Sequence, residues 1–411
     1  MNTTFRILNY RFYLQEFLLL LFTFFLMEGI VSWVFVRNSI IIEGYQKILS
    51  LLIFGFMLYN FGKLSRYERI YMVFFLLIMA GLVFESIARY DTFFRQLTMF
   101  TILFPVIFTL YIKYIMRSFN LDLLAFMAKF YLVSYLVFML LFGRGFSFSL
   151  DSVDMSDYGP FSGDSRVIHA SHIFMMIIPF LWYLHQFINT QKTKYIWPFL
   201  LCFVIILLHQ HRSVWSSTLV ALLFYFFITI RNNKINLSGL NNLLMGVVVL
   251  SLLAYFFVSN LFPGFFDFMS DRFSEILDPA KEGSTGNFRI EQREIYGALF
   301  WERPLFGWTF EGFEMPNPLV DWWPENSGQH FHEGYMEMLF YEGISGLLLK
   351  YSFLLYLLIK AFGKNISGNS AILISLAIAG LIFSFSYVLP LIFWGHVGMC
   401  LFYLEKDKEK I

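Results

Sequence analysis

Long, nearly unbroken apolar runs dominate this chain and decide what it can fold into. FLLLLFTFFLMEGIVSWVFV at 17–36 and MVFFLLIMAGLVF at 72–84 carry almost no charge. Spanning hydrocarbon takes ~20 mostly apolar residues per helix, and lipid offers no partner to the unpaired backbone groups of an open strand. Long continuous runs therefore predict helices. Composition agrees: 58% of the 411 residues are hydrophobic, 14% are charged and 54 are Phe, more than a water-soluble core can use. The expected fold is all-α, a polytopic integral membrane protein forming a single membrane domain over 1–411. Apolar segments fall at 16–36, 45–64, 70–88, 93–116, 124–143, 168–189, 194–210, 213–231, 239–263, 343–361, 369–389 and 391–404, about twelve spans.

Charge placement sets the expected topology, because Lys and Arg in short loops stay on the cytoplasmic side. Arg6 and Arg11 precede the first span. Lys63, Arg66 and Arg69 follow the second, Lys113 and Arg117 the fourth, Lys192 and Lys194 the sixth, Arg231 and Lys234 the eighth, and Lys360 and Lys364 the tenth; EKDKEKI ends the chain. With twelve spans all of these share one side, so both termini are expected to be cytoplasmic. The basic, apolar start lacks a small-residue cleavage signal and reads as a retained first helix. A net charge of +1 speaks against bulk attraction to nucleic acid. Cys202 and Cys400 lie in apolar runs and support neither a disulfide framework nor a cysteine metal site.

Two loops then face outward. Residues 144–167 are acidic and rich in Gly and Ser. Residues 264–342 form by far the longest hydrophilic segment, and loops of that length are usually functional. Within it, periodicity predicts a helix from Phe288 to Trp301, broken at Pro304 and Gly307. Arg289 and Arg293 stand one turn apart on that helix, where paired guanidinium groups can clamp a phosphate or merely pair with neighbouring Glu291 and Glu294. Arg212 stands at the outer junction of spans seven and eight, against the charge rule, as a functional cation or as one that snorkels to headgroups. His209 and His211 read as interfacial polar residues. His169 and His172 have metal-sharing spacing but no outward carboxylate at ligand distance in sequence, so no metal site is expected.

The segment QHFHEGYMEMLFYEGISG, 329–346, sets His332 beside Glu333 and Glu337 on one helical face, followed by Glu342, Gly343 and Gly346. An imidazole next to carboxylates suits general-base work, and a polar helix face at the interface explains the same pattern. The two glycines would let the entering helix pack closely on a neighbour. Trp308, Phe310, Phe313, Trp322, Trp323 and Phe331 offer faces for sugar rings or form an interfacial belt.

Together these residues resemble the O-antigen polymerase and ligase superfamily of bacterial envelope glycosyltransferases. The family's late motif is a His, then usually Asn, Ser or Gln, nine residues, and Gly-x-x-Gly. His332, Glu333, Gly343 and Gly346 keep that spacing, with Glu333 as the departure. Arg289 through RPLFGW is similar to an upstream pattern, and Arg212 in HRSVWSS matches a third loosely; the resemblance covers about 160–350. It implies a GT-C-like membrane fold without a cofactor, in the bacterial inner membrane. It further implies metal-independent, inverting transfer of a glycan from undecaprenyl diphosphate on the outer face of that membrane. His332 would activate or orient the acceptor hydroxyl, while Arg212 and Arg289 would hold the diphosphate. Arg166 and Arg293 are weaker candidates for the same phosphate, Glu337 for orienting His332, and Trp322 and Trp323 for the sugar. Expected partners are the lipid-linked donor, a glycan or lipid A core acceptor, membrane lipids and a chain-length regulator. Phe richness favours a polymerase over a ligase. A flippase or transporter is a third reading, disfavoured because Glu28 and Glu85 are the main acidic residues within spans and no paired halves appear.

Overall fold

The structure is a computed structural model that describes residues 4–7, 10–36, 38–93, 95–142, 168–209, 211–236, 238–242, 285–319, 328–329 and 331–409, with positions 245, 255, 260 and 270. It is helical apart from an antiparallel hairpin of β1 (Thr4–Ile7) and β2 (Tyr10–Tyr13), in which Phe5 pairs with Phe12. The expectation of a helical, polytopic membrane protein therefore holds among the described residues apart from that hairpin. Among the described residues, seven helices are long and apolar enough to cross a membrane, or eight when one bent pair counts as a span.

That pair is α1 (Leu14–Met27) and α2 (Gly29–Val36), which the sequence read as one span. They meet at 87° at Glu28, whose carboxylate accepts from the Val31 amide at 2.9 Å and so caps the start of α2. Next come α3 (Ser39–Tyr59), α4 (Arg66–Tyr90), α5 (Thr98–Phe119) and α6 (Leu124–Phe142). Ser65 and Glu68 form a capping box that fixes where α4 begins. After α7 (Ala170–Met175), α8 (Ile177–Thr190), α9 (Ile196–Leu208) and α10 (Arg212–Arg231), the chain gives α11 (Thr285–Glu302), α12 (Glu311–Glu314), α13 (Gly334–Ala361), α14 (Gly368–Phe383) and α15 (Leu391–Lys408). The spans expected at 194–210 and 369–389 are shorter apolar helices, Thr193–Leu208 and Gly368–Phe383. The span expected at 391–404 lies within α15, which is not among those seven, and most of 239–263 lies outside the described residues.

The chain divides into two compact units. One comprises 1–122, 289–357 and 384–406; the other comprises 123–288, 358–383 and 407–411. In the first, buried Glu68 receives Lys113 and Arg117, each at 3.0 Å, and Lys113 also reaches Glu405 at 2.8 Å. This knot joins the start of α4 to the ends of α5 and α15. Basic residues assigned to one side by charge thus gather at one end of the unit. In the second unit α10 packs on α14, whose small residues Ser370, Ala371, Ser375, Ala377 and Gly380 admit close helix approach. The Asp407 carboxylate accepts from the Ser367 amide and the Ser370 hydroxyl, which ties α15 to the start of α14.

Candidate functional site

The first unit brings Arg289, Arg293 and His332 together along one stripe of α11. Arg289, Gln292, Arg293, Tyr296 and Phe300 recur at three- and four-residue spacing, so they share a face. That face holds the segment carrying His332. Gln292, fully buried, accepts from the His332 amide through its Oε1 at 3.2 Å. Arg293 Nε donates to Glu333 Oε2 at 2.7 Å. Tyr296 donates its hydroxyl to Gln329 Oε1 at 2.8 Å, and burial pushes that phenol up, so it stays a neutral donor. Gln329 in turn donates through Nε2 to the carbonyls of Gly312 and Met315, and its amide donates to the Tyr341 hydroxyl at 2.7 Å. His332 therefore projects from a backbone held on both sides. The Arg289 guanidinium lies 5.8 Å from the centre of the Tyr387 ring, a cation–π arrangement that orients it.

Glu333, the departure from the family pattern, has a partner that matches it. An amide at this position would neutralise nothing, whereas the carboxylate is 4% exposed and compensated by Arg293. The sequence reading offered Arg293 for phosphate; the structure engages its Nε with protein.

The second structural feature is a crossing of two motifs. α11 ends at Glu302, and the chain from Arg303 to Thr309 passes across α13 where that helix is broken at Gly343 (φ 62°, ψ −163°). Four backbone bonds close the break: Trp308 and Thr309 amides donate to Phe340 and Tyr341 carbonyls, and Ile344 and Ser345 amides donate to Pro304 and Leu305 carbonyls. Groups orphaned by a helix break need such partners, above all where water is scarce. The approach is so close that a Cβ on Gly343 would lie 2.6 Å from the backbone of Leu305 and Gly307, and one on Gly307 (φ 70°) would lie 2.5 Å from the Phe340 carbonyl. The sequence expectation placed a span from 343 and gave its glycines to packing on a neighbouring helix. Instead α13 starts at Gly334, and Gly343 admits the Pro-Leu-Phe-Gly strap.

Gly346 has a different task. A Cβ there would come within 2.2 Å of Glu342 Cβ and 2.4 Å of its Oε2, so its absence leaves room for the Glu342 side chain to reach Lys350 at 2.5 Å. Both partners are nearly inaccessible, 2% and 6% exposed at the side chain. Removing one partner of a buried pair strands a charge, so Lys350→Met should destabilise the protein by about 3–5 kcal/mol, and adding Glu342→Gln should restore most of that loss. Thermal melts in detergent check it. Glu337 sits one turn beyond Glu333, to whose carbonyl its amide donates, and its Oε2 is buried with no hydrogen-bond partner among the described residues.

Arg212 belongs to the second unit, where it opens α10 directly after His211. His209 and His211, expected at an interface, are buried: His209 bonds the Tyr135 hydroxyl at 2.7 Å and His211 the Ile168 carbonyl at 2.7 Å. They pin the loop that presents Arg212. His169 caps α7, its Nδ1 accepting from the Ser171 amide. Among the described residues no group of His, Cys, Asp or Glu gathers as a metal site. Arg166, Trp322, Trp323 and the loop 144–167 lie outside the described residues. Of the other loop aromatics, Trp308 is 8% exposed, Phe313 stacks on Tyr341 at 4.4 Å, and Phe331 packs on Tyr296 at 4.5 Å. Sequence reasoning missed Gln292, Tyr296 and Gln329, although the spacing from Arg289 already put the first two on its face.

No curated protein matches the chain. Residues 197–351 match a family model described as O-antigen ligase. This segment runs from α9 into α13 and contains Arg212, Arg289, Arg293, His332 and Glu337. The matched stretch, less than half of the chain, is thus similar to the O-antigen ligase family, in line with the polymerase and ligase superfamily that the order of its arginines and histidine resembles.

Proposed function

We propose that the chain polymerises undecaprenyl-diphosphate-linked oligosaccharide repeat units into O-antigen or a related surface polysaccharide, on the outer face of the bacterial inner membrane. In this reading the chain acts as one membrane domain of twelve spans and GT-C-like arrangement, with cytoplasmic termini and 264–342 as its outer loop. His332 takes the proton from the acceptor hydroxyl, which attacks the anomeric carbon as the bond to the lipid diphosphate breaks. Arg212 and Arg289 stabilise the negative charge that grows on the leaving diphosphate, work a divalent cation performs in many nucleotide-sugar enzymes, so the transfer is proposed to be metal-independent. Arg166, Trp322 and Trp323 are assigned to the phosphate and sugar, and a chain-length regulator is the expected protein partner.

The observation carrying this reading is the docking of the Arg289 helix onto the backbone of His332 through Gln292 and Arg293. It supports a single reaction centre in that unit built from two sequence-distant motifs. Arg293 and Glu333 are then positioning residues. Neutralising either alone, as Arg293→Gln or Glu333→Gln, should lower kcat ~10-fold with little change in KM, and the double variant should cost no more than either single one.

The family description favours a second reading, transfer of finished polysaccharide to lipid A core. Deleting the gene and resolving lipopolysaccharide on gels separates them. A band carrying a single repeat marks a polymerase; complete loss of attached O-antigen with accumulated long lipid-linked chains marks a ligase.

A further inference from the structure

The first unit holds a cavity of about 760 Å3 that the transfer chemistry does not use. Its longest wall is one face of α4 running from Phe74 to Arg89, roughly 22 Å at 1.5 Å per residue. Phe74, Leu77, Ile78 and Leu82 make most of that face apolar, with Leu103 of α5 opposite them. Phe74 and Leu77 are 56% and 62% exposed, so the wall is continuous with the hydrocarbon-facing surface. At Gly81 a Cβ would meet nothing within 4 Å, which leaves open space at the middle of the wall.

The polar lining is of two kinds. Glu85, Arg89 and Arg303 are joined through Glu311: Arg89 reaches Glu85 at 3.3 Å and Glu311 at 2.5 Å, and Arg303 reaches Glu311 at 2.6 Å. Glu342 also lines the cavity; Lys350 holds its Oε1, while its Oε2 is buried with no hydrogen-bond partner among the described residues. A buried carboxylate oxygen without a donor is costly, and an occupant with an N–H or O–H removes that cost. The charges balance, with Arg89, Arg303 and Lys350 against Glu85, Glu311 and Glu342. A multiply charged diphosphate finds no surplus cation here. A headgroup with one phosphate and one ammonium finds a partner for each.

We propose that this cavity binds a phospholipid whose headgroup carries a phosphate and a primary ammonium, its acyl chain lying along the α4 face and its ammonium donating to Glu342. The site is distinct from the His332 centre and holds whether or not the chain transfers glycans. Arg89 and Arg303 receive the phosphate by sharing donors now directed at Glu311.

The test uses the full chain, purified in detergent and stripped of lipid, titrated with dihexanoyl phosphatidylethanolamine or dihexanoyl phosphatidylglycerol. Native mass spectrometry and the thermal midpoint are read. The expected result is one ethanolamine lipid per chain, with a saturable rise in Tm and an affinity ~10-fold above the glycerol lipid, the size of one charge-assisted hydrogen bond. Gly81→Trp should fill the wall and abolish retention. The pair Glu342→Gln with Lys350→Met should keep the bound chain but erase the headgroup preference. Equal affinity for both headgroups, unchanged retention in Gly81→Trp, or binding of an isoprenyl diphosphate in place of either phospholipid overturns the proposal. If Gly81→Trp does not fold, the headgroup comparison on the unaltered chain decides alone.

Discussion

Gly343→Ala should leave too little folded protein to purify, or lower its Tm sharply. Two costs add. The residue occupies φ 62°, ψ −163°, a region that only glycine adopts readily, at a cost of order 1–3 kcal/mol for any other side chain. The new methyl would also stand 2.6 Å from backbone atoms of Leu305 and Gly307, atoms that cannot swing aside as a side-chain tip can. Overpacking of that kind costs about 1–3 kcal/mol or more, and relief requires the strap to lift. Lifting it breaks the four backbone bonds that satisfy α13 at its break. Gly346→Ala makes a useful contrast: it carries no positive φ, and its methyl would meet Glu342, 2.2 Å away at Cβ, and not the strap, so it should be milder by the backbone-strain share. Fluorescence-detected gel filtration and thermal melts of the two variants check the order.

The second large effect falls on chemistry. His332→Ala should reduce glycan transfer by about 10²–10⁴-fold, the usual worth of a positioned general base, while the Gln292 bond to the backbone amide at this position is kept. Arg289→Ala should lower the rate by about 10²–10³-fold, as expected for loss of a group that meets developing charge. Arg289→Lys should recover only part of that loss, since an ammonium lacks the planar fork of a guanidinium. Assays of purified variants at saturating donor check each value.

The apolar runs made the helices legible because spanning lipid demands length and continuity, and charge placement made the grouping of basic helix ends legible. The bend at Glu28 was not: a single acidic residue within a span can face a cavity or cap a second helix, and sequence does not say which. Likewise the helix at Arg289 and its stop before Pro304 followed from periodicity and breakers. Gly343 was misassigned because the Gly-x-x-Gly spacing is the same for helix packing and for a strap crossing a break; only the positive φ separates them. Glu333 posed a question that no local pattern could answer, since its partner Arg293 is 40 residues away in sequence. Arg212 was visible as a cation against the charge rule, while the buried His209 and His211 beside it became intelligible only through Tyr135 and the Ile168 carbonyl.

The central claim is that His332 and its arginines transfer a glycan from a lipid diphosphate without a divalent cation. The direct measurement reconstitutes the purified chain with lipid-diphosphate-linked oligosaccharide repeat units, in the presence and absence of a chelator. The account predicts longer lipid-linked glycan with release of free lipid diphosphate, undiminished by chelator and lost in His332→Ala. Elongation that stops with chelator, or an unaltered product in His332→Ala with lipid-linked sugar merely moved across the bilayer, would contradict it.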